Sequence, residues 1–157
     1  MAAPVAGVAA GMVPSITGLV ERAAAELGLR GEVRVRLVDD AEMALAHFTH
    51  CGVAGTTDVI TMDLRDPSGA AARDGVLDAD LLVCVDEADR QAHARGIALE
   101  HEVVLYVVHG VLHCVGYDDH DDAGYAAMHA REDAVLTAIG IGAVFSGRSG
   151  SDRSVDR

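Results

Sequence analysis

The sequence predicts an α+β fold in which one mixed sheet is covered by helices within a single domain. The chain has 157 residues, which is a typical length for one domain. Three short segments carry the apolar and β-branched residues of strands, and five longer segments carry apolar residues at helical spacing. These segments interleave along the chain without an internal repeat. We therefore expect a single folded domain at residues 14–140, a loose tail at residues 1–13 and a disordered tail at residues 141–157.

The first half of the predicted domain contains two helices and two strands. Gly28 is suited to end the first helix, because glycine readily takes the left-handed conformation after a last turn. The strand that follows alternates polar and apolar residues, so we expect it to be half-buried with Arg34 and Arg36 on its exposed face. Asp39 and Asp40 are placed to cap the second helix. The predicted elements are a helix over residues 14–27, a strand over 32–38, a helix over 40–49 and a strand over 57–62.

The second half begins after a loop of small residues that runs from Asp66 to Gly75. The next strand is almost entirely apolar, which predicts burial on both faces. Asp86 is placed to cap the helix after it. The following helix is apolar around most of its surface and should be central to the core. The predicted elements are a strand over residues 80–85 and helices over 86–96, 99–115 and 122–139.

Composition restricts the partners that the protein can have. The formal net charge is −13, and all 12 basic residues are arginine. The whole molecule therefore lacks the basic footprint of a nucleic-acid-binding protein, and a polyanion would have to be held by a local arginine patch or by a metal. Arg34 and Arg36 are candidates for such a phosphate contact, although a solvated strand face is the simpler explanation for them.

The same composition argues against a membrane or an oxidising location. No apolar run reaches the roughly 18 residues of a membrane span. Three cysteines without close spacing suggest no disulfide framework. The first thirteen residues lack the positive start of a secretion signal. We therefore expect a cytoplasmic protein with no membrane partner.

One segment, from His109 to His120, predicts a metal site. His109 and His113 are four residues apart, so on a helix both imidazoles project from the same face and can reach one ion. Gly116 then permits a turn that brings a third ligand back, and Asp119 and His120 are both at a suitable distance along the chain. Three ligands of this type leave a fourth position open, as in catalytic zinc sites.

Gly110 distinguishes this segment from the peptidase signature His-Glu-x-x-His. In those enzymes a glutamate directly after the first histidine acts as the general base. A glycine at this position cannot transfer a proton. The sequence therefore disfavours a peptidase-like metallohydrolase, which we keep as an alternative.

The segment resembles the signature of the YbeY family, the bacterial rRNA-maturation endoribonucleases, which reads His-Gly-x-Leu-His-x-x-Gly-Tyr-Asp-His. Positions 109–118 match it throughout. Residues 57–63 are similar to the family's Thr-Asp-Val-Leu-Ser-Phe segment, and residues 79–83 to its Gly-Asp-Ile strand. Met128 and residues 132–136 are similar to residues of the family's last helix. The resemblance extends over roughly residues 32–140.

The resemblance implies a mixed four-stranded sheet surrounded by helices, with a central metal-binding helix like that of the metalloproteases. It also implies one Zn²⁺ ion held by three residues. When the segment is aligned with the family signature without gaps, the family's third histidine corresponds to Asp119. We therefore prefer Asp119 to His120 as the third ligand beside His109 and His113. A carboxylate oxygen is an acceptable zinc ligand.

Two further expectations concern the substrate. Many members of the family carry an arginine where this chain has Cys51, so the phosphate contact has to come from elsewhere; Arg34 and Arg36 are candidates, as are Arg65 and Arg73. Thr57 and Asp58 are candidates either for orienting the substrate or a zinc ligand, or simply for capping the start of a strand. The sequence does not identify a general base beyond these two.

The resemblance implies a zinc-dependent endoribonuclease that cleaves single-stranded rRNA during late maturation and quality control of the small ribosomal subunit. Its partners would be this RNA and the subunit, and DNA is not expected as a substrate. The alternative of another class is a non-catalytic ribosome-assembly factor whose zinc is structural.

Overall fold

Three strands and five helices make up the computed structural model of the chain, which describes residue 5, residues 7–66 and residues 75–146. The α+β class and all eight predicted elements are confirmed. The largest difference is at the third strand, which begins at Val76 rather than at residue 80. The elements are α1 (Met12–Glu26), β1 (Arg30–Val38), α2 (Asp40–Cys51), β2 (Val59–Asp63), β3 (Val76–Cys84), α3 (Val85–Arg95), α4 (Leu99–Cys114) and α5 (Asp122–Ala138).

Parts of the predicted tails and loop lie outside the described residues. These are residues 1–4 and 6, residues 67–74 of the small-residue loop, and residues 147–157. The first residues of the predicted C-terminal tail, 141–146, do lie within the described part, and Ile141, Val144 and Phe145 pack against the hydrophobic core.

The sheet is mixed, with the strand order β1-β3-β2. β1 runs parallel to β3, with Val33 opposite Ala79, and β2 runs antiparallel to β3, with Thr61 opposite Leu81. The expectation of four strands is therefore wrong for the described residues, where both β1 and β2 are edge strands. That count came from the resemblance alone, whereas only three segments of the sequence carry a strand pattern.

The two faces of the sheet are covered to different extents. On one face, Leu81 and its neighbours in β3 are buried in the main core beneath α4. On the other face, Met43 of α2 packs with Ile60 and Cys84 at one end only. Asp80, further along β3 on this second face, is 42% exposed. The prediction that β3 is buried on both faces is therefore wrong, because α2 is too short to cover the second face completely.

Helix α4 lies at the centre of the molecule, against β2, β3, α1, α3 and α5. Ten of its residues are buried, as its apolar surface predicted. Gly110 allows the closest approach to the sheet, because a Cβ atom here would contact Thr61 Oγ1 and lie 2.9 Å from Leu81 Cδ2. The last turns of α4, with His109 and His113, are thereby held against β2 and β3.

Of the helix caps predicted at Asp39 and Asp86, the structure contains only the first. Asp39 caps α2 as expected, since its carboxylate accepts the N–H of Glu42 at 2.9 Å. Asp86 does not cap its own helix, because α3 already begins at Val85. Its carboxylate instead accepts the N–H of Asp40 at 2.8 Å, so it stabilises the first turn of α2. Spatial proximity of the two helix starts decides this partner.

Within the described residues, no single helix is both long and apolar enough to span a membrane. Joined together, α3 and α4 have the necessary length and composition, but they meet at an angle of 113°.

Candidate metal site and adjoining cleft

The two histidines of α4 lie side by side at the end of the helix. The Nε2 atoms of His109 and His113 are 3.1 Å apart, and their rings are nearly perpendicular. The side chain of His109 is 22% exposed and that of His113 is 36% exposed. Two imidazole nitrogens thus face one small region that solvent can reach.

The other ring nitrogen of each histidine, Nδ1, has a hydrogen-bond partner of its own. His113 Nδ1 lies 3.1 Å from the carbonyl oxygen of Tyr117, which can only accept a hydrogen bond, so Nδ1 carries the proton. His109 Nδ1 lies 2.5 Å from Oε1 of Glu132. These contacts leave Nε2 of each ring as the atom available to a metal.

Asp119 supplies a carboxylate beside both rings. Its Oδ2 is 3.8 Å from His109 Nε2, and its Oδ1 is 3.8 Å from His113 Nε2. Gly116, with φ of +103°, makes the bend that returns the chain to this position. One potential ligand atom from each of the three residues lies within 4.8 Å of the others.

His120, the alternative third ligand, is not brought to the two helical histidines in the described structure. Its side chain is 87% exposed, and its Nε2 lies 3.4 Å from Asp118 Oδ1. His120 belongs to a second, more exposed group of potential ligands, which it forms with Asp118 and Asp119.

The donor set fits a zinc ion. Tetrahedral zinc with ligands at about 2.0–2.2 Å needs ligand atoms about 3.3 Å apart. The distance of 3.1 Å between the two Nε2 atoms lies just below this value, and each Nε2 atom lies 3.8 Å from a different oxygen of Asp119, somewhat above it. Two neutral imidazoles and one carboxylate are also the ligand types of catalytic zinc, and three ligands leave one position open.

The sequence did not reveal the support that Glu132 gives to the site. This residue of α5 is fully buried, and its second oxygen, Oε2, lies 2.8 Å from His129 Nδ1. Burial alone lowers the pKa of the His109 imidazole, but the hydrogen bond and charge of Glu132, with Asp58 and Asp119, outweigh it and raise that pKa. The three-residue spacing of His129 and Glu132 on a predicted helix was the signal available.

Thr57 and Asp58 directly precede β2, next to the candidate metal site. Asp58 Oδ1 accepts the N–H of Val59 at 2.7 Å and the hydroxyl of Thr57 at 3.2 Å, so it does cap the strand. Asp58 also lines a cavity together with His109 and Asp119. Burial raises the pKa of the Asp58 carboxyl. A capping role and a position in the site are therefore both present.

The arginines proposed from sequence lie elsewhere. Arg34 is on the sheet face opposite α4, where it pairs with Asp78 at 2.7 Å and Asp80 at 2.5 Å. Arg36 shares that face and pairs with Glu42. The structure does not bring either of them to the two histidines.

Arg65 joins the sheet to the end of α4. It pairs with Asp63 and donates to the carbonyl oxygen of Cys114 at 2.5 Å, with only 9% of its side chain exposed. Arg73 lies outside the described residues. Arg95, which the sequence did not single out, lines the same cavity as His109 and Asp119.

The chain is similar to known proteins over most of its length. A family model described as Endoribonuclease YbeY matches residues 12–140. The Endoribonuclease YbeY of Moorella thermoacetica is 35% identical over 137 residues, which cover 83% of this chain and 88% of the relative. That of Desulfitobacterium hafniense is 33% identical over 138 residues, covering 81% and 87%.

A solved structure supports the fold. The solution structure of a Thermotoga maritima protein superimposes with a TM-score of 0.59 and covers 96% of this chain and 97% of that one. At 22% identity, this likeness concerns the fold alone.

Proposed function

The chain belongs to the YbeY family of endoribonucleases, and from this premise we propose that it hydrolyses single-stranded RNA with one zinc ion held by His109, His113 and Asp119. The observation that carries the proposal is that three potential ligand atoms lie close together. They adjoin the cavity lined by Asp58, Arg95, His109 and Asp119, which we call the cleft. Bound zinc would polarise a phosphoryl oxygen and lower the pKa of a water molecule.

The protein's own residues prepare this chemistry in advance. Glu132 and the Tyr117 carbonyl accept from Nδ1 of the two histidines, which keeps both Nε2 atoms directed at the ion. Because Glu132 is fully buried and also contacts His129, the orientation of His109 is resistant to solvent fluctuations. Two of the three proposed ligands are therefore oriented before RNA binds.

We assign proton transfer to Asp58. Its carboxyl lines the cavity that also contains His109 and Asp119, and burial raises its pKa. A general base has to lie this close to the reacting groups. Thr57 donates to Oδ1 of Asp58 and so positions the carboxylate. An Asp58→Asn variant should retain zinc and lose most of its cleavage activity.

A peptidase mechanism does not suit this site. Gly110 stands where the glutamate of the peptidase motif would be, and even a Cβ atom at this position would collide with Thr61 and Leu81. The close packing of α4 on the sheet thus leaves no room for that general base. The partial exposure of His113 favours a catalytic role of the metal over a structural one.

Metal removal separates the enzyme from the structural alternative. We expect chelation of purified protein to abolish cleavage of a single-stranded RNA oligonucleotide while the circular dichroism spectrum is kept, and zinc to restore cleavage. Loss of the folded spectrum on chelation would instead support an assembly factor with structural zinc.

The ligand set is tested by zinc content. Asp119→Ala and His113→Ala should each lose bound zinc and RNA cleavage. His120→Ala is the matched control and should retain one zinc per chain. Loss of zinc in His120→Ala, with zinc retained in Asp119→Ala, would reverse the assignment of the third ligand.

We further propose that the natural substrate is rRNA of the small ribosomal subunit, met in the cytoplasm during late maturation. Family membership supports this proposal, and the net charge of −13 disfavours indiscriminate RNA binding. Depletion of the protein should lead to unprocessed small-subunit rRNA on sequencing of RNA ends, and normal ends would contradict it.

A further inference from the structure

Arg95, the last residue of α3, is held in place by two contacts. Its Nη1 lies 2.5 Å from Oε1 of Glu102, which is fully buried in α4. Its guanidinium carbon lies 5.4 Å from the centre of the Phe145 ring. Only 12% of the Arg95 side chain is exposed, so this guanidinium is fixed in position rather than extended into solvent.

The position of Arg95 places it in the wall between two cavities. The narrow one also contains His109, Asp119 and Asp58. The wider one, of about 460 Å³, also contains Thr57 and Asp58. Arg95 therefore lies beside the wider cavity and also beside the proposed metal ligands His109 and Asp119.

The charges around the two cavities are mostly negative. Four carboxylates, those of Asp58, Glu87, Asp119 and Glu132, are among the lining groups. Of the described residues that line these cavities, Arg95 is the only arginine, and the chain has no lysine. A phosphodiester entering here meets repulsion that a metal ion and Arg95 can offset.

Arg95 also retains hydrogen-bonding capacity. A guanidinium has five N–H donors, and the hydrogen bond recorded for Arg95 within the described part of the chain involves Nη1 alone. By contrast, Arg34 contacts three carboxylates and Arg90 contacts two. The planar fork of arginine suits the oxygens of a phosphate group.

We propose that Arg95 binds a non-bridging phosphate oxygen of single-stranded RNA next to the metal site. This inference rests on the proposed function, because it names the group that receives the substrate of that site. Glu102 and Phe145 orient the guanidinium before RNA arrives, which reduces the entropy lost on binding. The role replaces the arginine that the sequence lacks at Cys51.

The test measures RNA binding without cleavage. The probe is a fluorescent single-stranded RNA oligonucleotide with 2′-O-methyl groups, titrated with zinc-loaded protein and followed by anisotropy at several salt concentrations. Arg95→Gln should weaken binding about tenfold and reduce the salt slope by about 0.7, the value for one phosphate contact on a single strand. Arg36→Gln, on the opposite sheet face, removes the same charge and should have little effect.

A second variant tests the same residue without removing it. Glu102→Gln keeps the side-chain shape and an oxygen that can accept from Arg95, so the guanidinium stays oriented. It removes only the negative charge that competes with phosphate, so RNA should bind about two- to threefold more tightly. If Arg95 only connects α3 to α4, this variant will leave RNA affinity unchanged or weaken it. Binding by Arg95→Gln that equals that of Arg36→Gln would also overturn the proposal.

Cleavage by the unmodified protein keeps the two proposals apart. If the wild type cleaves RNA but Arg95→Gln binds normally, the Arg95 proposal fails and the proposed function stands. If the wild type cleaves no RNA but the binding differences appear, the proposed function fails and Arg95 remains a phosphate-binding residue.

Discussion

The two helical histidines are held by acceptors of different strength. His113 donates to the neutral carbonyl oxygen of Tyr117, whereas His109 contacts the carboxylate of Glu132. A charged acceptor makes a stronger hydrogen bond and raises the basicity of the ring. His109 should therefore be the stronger of the two metal ligands, and Glu132 should control its affinity.

At the residue scale, we predict that Glu132→Gln weakens zinc binding by roughly 10- to 100-fold, the range typical for loss of a group that supports a metal ligand. The amide keeps the shape of the side chain but removes its charge. Competition with a chromophoric chelator measures the affinity. Glu26→Gln, an exposed glutamate on α1, is the control, and equal zinc affinity in both variants would contradict the prediction.

At the scale of elements, two contacts set the position of the site. The first is the packing of α4 on β2 and β3 at Gly110. The second is the segment of residues 144–146, whose three N–H groups donate to the carboxylate of Asp133 at 2.7–2.9 Å. This segment places the centre of the Phe145 ring 3.8 Å from the centre of the His129 ring, and it also places Phe145 next to Arg95. The C-terminal segment is thus part of the cleft.

The packing of α4 predicts that Gly110→Ala lowers the free energy of unfolding by about 1–3 kcal/mol, as expected for an overpacked core. Gly18→Ala is the matched control, because no atom lies within 4 Å of the added methyl group in α1. That control should be stabilised by about 0.5–1 kcal/mol. Urea unfolding of the two variants measures both values. Equal changes in the free energy of unfolding would show that α4 can move further from the sheet without loss of stability.

Anchoring of the C-terminal segment predicts a dependence of stability on pH. Burial alone raises the pKa of Asp133, but the N–H groups of Phe145, Val144 and Ser146 outweigh it and lower that pKa. The stabilisation is thus present above the unfolded pKa of about 3.9 and is lost as pH falls through the lower folded pKa. Asp133→Asn should cost about 1–3 kcal/mol at neutral pH.

The measurement for Asp133 compares thermal unfolding of the wild type and Asp133→Asn at a series of pH values. The difference in stability should shrink as the solution is acidified below about pH 4, because the wild-type carboxylate then becomes protonated. A difference that stays constant down to about pH 2 would show that the carboxylate charge does not anchor the segment.

At the scale of the whole molecule, charge limits how RNA can be bound. The net charge is −13, and on the sheet face opposite α4 the carboxylates Asp78 and Asp80 surround Arg34. This face repels a polyanion, whereas on the other side of the sheet the proposed zinc ion and Arg95 would offset the carboxylates of the cleft. RNA should therefore be recognised through few phosphate contacts.

Few contacts predict weak binding of isolated single-stranded RNA with a shallow salt dependence. Each phosphate contact contributes a slope of about 0.7 in the plot of log affinity against log salt, so a total slope of about 1–2 is expected. Anisotropy titrations between about 50 mM and 200 mM salt measure it. A slope near 6, or tight binding that persists at high salt, would reveal an extended basic surface that the described structure does not show.

The sequence by itself determined the features that depend on local spacing. The helices and strands follow from hydrophobic periodicity, and the pairing of His109 with His113 follows from one helical turn. The bend at Gly116 follows from the freedom of glycine to take a positive φ. Such features involve neighbours along the chain, so the order of residues alone specifies them.

Only the tertiary structure decided which distant residues meet. Glu132 lies 23 positions from His109, and Arg95 lines the same cavity from a different helix, so no local pattern linked them to the candidate metal site. The placement of Arg34 and Arg36 on the opposite face likewise depends on how α4 packs against the sheet. These contacts arise from the packing of whole elements, which depends on the complete set of buried surfaces rather than on any one segment.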